Sequence, residues 1–176
     1  DSSPSRGLGD VYKRQSHSYY SENAIFFSSY IQDKLEYESF IMNVGIRYDL
    51  FDPQSSHVDS LLNPENSLIK SSKKTMWSPR IGVAYPITDE GILHFSYGHF
   101  YQMPTMRNLF LKNIFGAGLS PTIGYSDLKP QKTVMYEFGM QQQLSMFLAI
   151  NGSIFYKDIR DLLALQTINY NSPTYG

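Results

Sequence analysis

The sequence predicts an all-β chain, a partial antiparallel meander with one apolar face, and three observations lead there. Six stretches alternate apolar and polar residues with the period of two that a strand imposes. The connections between them are short and long in turn. Of the 176 residues 18% are charged and 15% aromatic, whereas soluble domains carry roughly 25% charge. Low charge and abundant Tyr and Phe call for a common cause.

The stretch 24–35 is the least regular, with Ile25, Phe27, Ile31 and Leu35 against Ala24, Phe26, Tyr30 and Gln32. In 39–50 the pattern is clean: Phe40, Met42, Val44, Ile46, Tyr48 and Leu50 oppose Asn43, Gly45, Arg47 and Asp49. Residues 79–87 set Pro79, Ile81, Val83, Tyr85 and Ile87 against Arg80, Gly82, Ala84 and Pro86, and 92–101 set Leu93, Phe95, Tyr97 and Tyr101 against His94, Ser96 and Gly98. In 134–144, Val134, Tyr136, Phe138, Met140 and Leu144 oppose Met135, Glu137, Gly139, Gln141 and Gln143. Residues 148–156 place Leu148, Ile150, Ile154 and Tyr156 opposite Asn151 and Ser153, and 163–170 offers a seventh strand.

Connections are short at 36–38, 88–91 and 145–147 and long at 52–75 and 102–132, so the two kinds fall at opposite ends of the strands. Tight turns on one side, long loops on the other and strands of about ten residues are what an outer-membrane β-barrel requires. The polar faces suit a wet lumen. Tyr37, Phe40, Tyr48, Phe51, Trp77, Tyr85, Phe100, Tyr101 and Phe147 near strand ends suit the aromatic girdles of the two membrane interfaces. The expectation is therefore an arc of a large transmembrane outer-membrane barrel. Six or seven strands fall short of the roughly eight of the smallest closed barrel, and open edges are costly in lipid.

The same numbers exclude several classes. With no cysteine there is neither a disulfide scaffold nor a thiolate metal site, and a net charge of -1 offers no field to hold nucleic acid. No window reaches the roughly 18 apolar residues of a membrane-spanning helix. The run 1–15, from Asp1 through Gly7-Leu8-Gly9 to Lys13-Arg14-Gln15, resembles translated sequencing-adapter sequence and is set apart from the fold, a disordered tail being the alternative. The last residues, from Ser172 to Gly176, have the composition of a turn without a closing strand. Residues 16–176 are thus expected to be an internal barrel fragment.

Five segments carry a family resemblance: GIRYD at 45–49, SPRIGVAYPIT at 78–88, HFSYGHFYQMP at 94–104, LKP at 128–130 leading to YEFG at 136–139, and FYKDIRDL at 155–162. In this order and spacing they resemble the barrel of TonB-dependent outer-membrane receptors. The resemblance implies a bacterial outer-membrane location and active import of a bulky nutrient (siderophore, cobalamin, peptide or glycan) through a barrel of about 22 strands. It implies as partners the outer-membrane lipid, a plug domain of the same protein, TonB and the nutrient ligand. Neither the plug nor the segment that contacts TonB is recognised in these residues. A passive porin or lipid-transport barrel, and a soluble carbohydrate-binding or hydrolytic β-protein, are the competing readings.

Candidate chemistry is sparse. His94 and His99, five apart on a strand, face opposite ways and cannot share a metal. Asp158 and Asp161 with Lys157 and Arg160 crowd a strand end, where salt bridging is the expected role over calcium or acid–base work. Glu36 and Glu38 solvate a tight turn. Gly116-Ala117-Gly118 lacks phosphate-loop spacing, and no Gly-x-Ser-x-Gly elbow occurs, so no enzyme, metal or cofactor is expected. Arg47 and Arg80 either contact the plug or an anionic ligand in the lumen or, as favoured, form an interior ladder with Asp49 and Glu137. In the connection 102–132, Phe110, Phe115 and Tyr125 either stack on a ligand or pack within their own loop.

Overall fold

The computed structural model describes residues 22–38, 40–58, 68–113 and 122–166. The expectations placed on 1–15, on Phe115, on Gly116-Ala117-Gly118 and on the last residues lie outside these, as does the anticipated seventh strand beyond 166. The described part of that strand, 163–166, is irregular.

In chain order the elements are β1 (Ile25–Tyr37), β2 (Phe40–Asp52), the short β3 (Ser56–Val58) and β4 (Leu68–Lys70), β5 (Lys74–Thr88) and β6 (Gly91–Gln102). Then follow helix α1 (Met106–Phe110), the short β7 (Lys112–Asn113) and β8 (Thr122–Ile123), and β9 (Gln131–Ser145) and β10 (Leu148–Arg160). The six long strands form one sheet in the order β1-β2-β5-β6-β9-β10, every neighbour antiparallel. This is the anticipated meander, an arc of barrel wall, with all six anticipated strands present. Each long connection holds a two-stranded ribbon of its own, β3–β4 or β7–β8.

Residues directly opposed in antiparallel strands share a face, so the register sorts every side chain. One row across the sheet runs Leu35, Met42, Val83, Phe95, Phe138, Ile154 and is apolar throughout. A row on the other face runs Gln32, Gly45, Arg80, Gly98, Met135, Lys157. Along the apolar face the rings pair across strands: Tyr37 stacks on Phe40 at the tight-turn end with centroids 4.9 Å apart, and Tyr48 meets Trp77 at 4.7 Å toward the long connections. Tyr97, Tyr136 and Tyr156 continue the belt at 4.9 and 6.3 Å.

Two expected girdle residues belong to the opposite face. Phe51 pairs in register with Phe26 and Lys74, and Phe100 with Thr133, all on the face that carries Arg47 and Arg80. Strand parity decides this, because Phe51 is an even number of residues from Arg47, and so is Phe100 from His94.

Buried apolar residues gather at one place. Phe51 and Met76, from the polar faces of β2 and β5, pack with Leu109 and Phe110 of α1, and Ala24, Tyr101, Met103 and Leu128 close the edges. The segment after β6 thus folds back over β5 to β2, on the polar side of the sheet. A connection that stays with its barrel covers the lumen, so the polar face is the inner wall and the apolar face the outer one.

Candidate functional site

The inner wall below this packed segment carries the charged groups. Period-two spacing puts Arg47 and Asp49 on the same face, where the guanidinium grips the carboxylate through Nε at 2.9 and 3.0 Å and through a terminal nitrogen at 2.8 Å. Ser28, opposite Asp49 on β1, donates to the same carboxylate at 2.5 Å and accepts from Arg47 at 3.1 Å. Arg47 is therefore satisfied within the wall, as the ladder reading expected. The rest of that ladder does not form. Glu137 lies two strands away from Arg80 and one row lower, and the Arg80 guanidinium settles over the Phe100 ring, 4.8 Å from its centroid. Among the described residues no carboxylate pairs with Arg80. A cavity of about 390 Å³ opens here, lined by Phe26, Arg47, Asp49, Arg80, Phe100 and Met103 among others.

The loop aromatics separate. Phe110 is 3% exposed and, with Leu109, packs on Phe51 and Met76 of the wall. Tyr125 keeps 41% of its surface exposed, with its ring 4.3 Å from that of His57. Helix α1 falls where the sequence pattern shows only a long connection. Thr105 caps it by accepting from the Asn108 N–H, a role open to a Thr immediately before a short helical turn. The returning chain lies hard against it: Gly124 N–H donates to Leu111 at 2.7 Å and Tyr125 N–H to Asn108 at 2.9 Å. A Cβ on Gly124 would come within 2.8 Å of the Asn108 carbonyl oxygen and the Leu111 nitrogen, so only glycine fits.

No sequence signal marks the polar bridge between the two long connections. His57 Nδ1 lies 3.2 Å from Ser71 Oγ, which lies 2.5 Å from Ser126 Oγ, and all three residues are buried. Beside them Asp127 accepts from the Ser72 N–H at 2.8 Å, the Ser72 hydroxyl at 2.7 Å and Lys74 Nζ at 2.5 Å. Burial pushes the Asp127 carboxyl up, but the hydrogen bonds from Lys74 and Ser72 outweigh it and bring its pKa down to about 2. No buried polar side chain among the described residues is left without a partner.

Several other polar groups that the sequence singles out are held by neighbours. Asp158 pairs with Arg160 at 2.5 Å on an exposed surface, Glu36 pairs with Lys34, and His94 occupies the space above Gly139 on the next strand. His99, on the other face, lies 2.7 Å from the Tyr97 hydroxyl. Among the described residues no three His, Asp or Glu side chains converge as a metal site would need.

Comparison with known proteins gives the family. The model of the TonB dependent receptor-like β-barrel family matches residues 1–176. Among solved structures, the siderophore receptor PirA from Acinetobacter baumannii aligns with a TM-score of 0.45 and 18% identity, over 79% of this chain and 27% of that receptor. The chain thus spans about a quarter of the length of the receptor it aligns with. No curated protein sequence matches it. With a six-stranded meander, an apolar outer face and a family match over its whole length, the chain belongs to the TonB-dependent receptor-like β-barrels, a family of the bacterial outer membrane.

Proposed function

We propose that these strands are one sector of an active importer for a bulky nutrient, a siderophore, cobalamin, peptide or glycan. In this reading 16–176 is a fragment of the barrel, the outer face meets outer-membrane lipid, a plug domain fills the lumen, and TonB supplies the energy. The protein is a transporter and not an enzyme. The observation that carries the reading is the inner wall. Arg80, held on Phe100 with no ion pair to a carboxylate among the described residues, faces a cavity under the packed loops, where an anionic or aromatic part of a ligand would find both charge and a ring. Arg47, already held by Asp49, contributes a fixed polar surface beside it, and exposed Tyr125 offers a ring from the loop.

The test is uptake of labelled ferric siderophore, cobalamin, oligopeptide and oligosaccharide by cells producing the protein, with and without TonB. Accumulation of one class that stops when TonB is deleted is expected, and Arg80→Gln should weaken binding of that class by roughly tenfold, the loss of one charge-assisted contact. Uptake that continues without TonB, with no class preferred, would instead mean a passive barrel.

A further inference from the structure

We infer that the two long connections are a single interlocked strap across the inner wall, which holds and yields as one unit rather than as two independent loops. The inference stands on strand register and side-chain contacts, and is separate from the identity of the transported ligand. Three kinds of contact join the segments, and a fourth fastens them to the wall. Ser71 and Ser126, 55 positions apart, share a buried hydroxyl–hydroxyl hydrogen bond, and His57 extends it into β3. Asp127 of the second connection takes both the backbone and the side chain of Ser72 in the first, and Lys74 Nζ as well. Tyr125 lays its ring against His57. Beneath them, Leu109 and Phe110 rest on Phe51 and Met76, which fastens the joined loops to the wall.

Each connection is also closed on itself, and that converts contact into coupling. In the first, Ser71 N–H donates to Ser55 at 2.9 Å, so Ser71 cannot leave without opening the β3–β4 ribbon. In the second, Ser126 follows Gly124 and Tyr125, whose amides are fastened to Leu111 and Asn108. Removal of the Ser71 hydroxyl takes this contact from buried Ser126 and His57 alike, an outcome that costs more than the lost bond alone, and removal of the Ser126 hydroxyl leaves Ser71 with His57. A rupture at the Ser71–Ser126 seam therefore loosens both sides.

The experiment is amide hydrogen exchange on the protein in lipid nanodiscs. Ser126→Ala, a change in the second connection, should speed exchange at Ser71 and in β3–β4 of the first by roughly tenfold. Ser71→Ala should do the same to Gly124 and Tyr125, with β9 and β10 unaffected in both. Acceleration confined to the connection that carries the substitution would overturn the inference. A second variant does not depend on destabilisation. The chain has no cysteine, so Ser71→Cys with Ser126→Cys should oxidise to a single crosslink that keeps exchange slow on both sides of the seam. Failure of the two thiols to join, or exchange in either connection unchanged between oxidised and reduced forms, would equally overturn it.

Discussion

Phe138 in the middle of the wall keeps 47% of its surface exposed, whereas Phe51 at the mouth keeps 1%, although both lie in long strands of one sheet. The difference is the partner each ring meets. Phe138 sits in an all-apolar row on the outer face, where hydrocarbon covers it; Phe51 sits on the inner face, where only protein can, and Met76, Leu109 and Phe110 do so. A barrel wall thus leaves its apolar residues to the membrane and needs a protein core only where its loops fold inward.

The largest expected effect falls on the mouth. Truncation of a fully buried phenylalanine costs about 3 to 5 kcal/mol, so Phe51→Ala should free the strap, read as faster amide exchange at 109–111. An unchanged rate there would mean the inward fold is held by the polar seam alone, and the contrast with the wall would lose its basis.

A charge on the outer face comes next. Phe138→Arg should lower barrel stability in lipid by about 2 to 4 kcal/mol, whereas Gln141→Arg on the inner face of the same strand should cost about 1 kcal/mol or less. Equal losses at the two positions would show that both faces are sealed from water and that the outer one is not the lipid face.

The smallest effect sharpens the comparison through pH. Asp127 titrates at about 2 in the fold against an ordinary value of 3.8. A folded value below the unfolded one stabilises the fold while the carboxylate is charged, so the full contribution is present above about pH 5 and is lost as pH falls through 4 toward 2. Its size is about 1 to 2 kcal/mol after allowance for partial exposure. Protection in 71–74 and 122–128, taken against the intrinsic exchange rate at each pH, should therefore fall over that window while the Phe138 row stays protected; a fall in both regions together would point to unfolding of the wall itself.

By itself the sequence determined the six long strands, their faces and the sorting of tight and long connections, because each follows from local geometry: side chains alternate across a strand, and short polar turns close hairpins. The Arg47–Asp49 pair was legible for the same reason, two residues apart on one face. Parity even held the inner position of Phe51 and Phe100, although their aromatic character argued for a girdle. Tertiary structure alone decided how the connections fold. Phe110 turns inward because α1 crosses two strands to reach Phe51; Arg80 passes Glu137 by because the register sets that carboxylate one row off, and Phe100 lies nearer. The Ser71–Ser126 and Lys74–Asp127 contacts join residues 55 and 53 apart. No periodicity links such positions, and only the path of the chain across the wall brings them together.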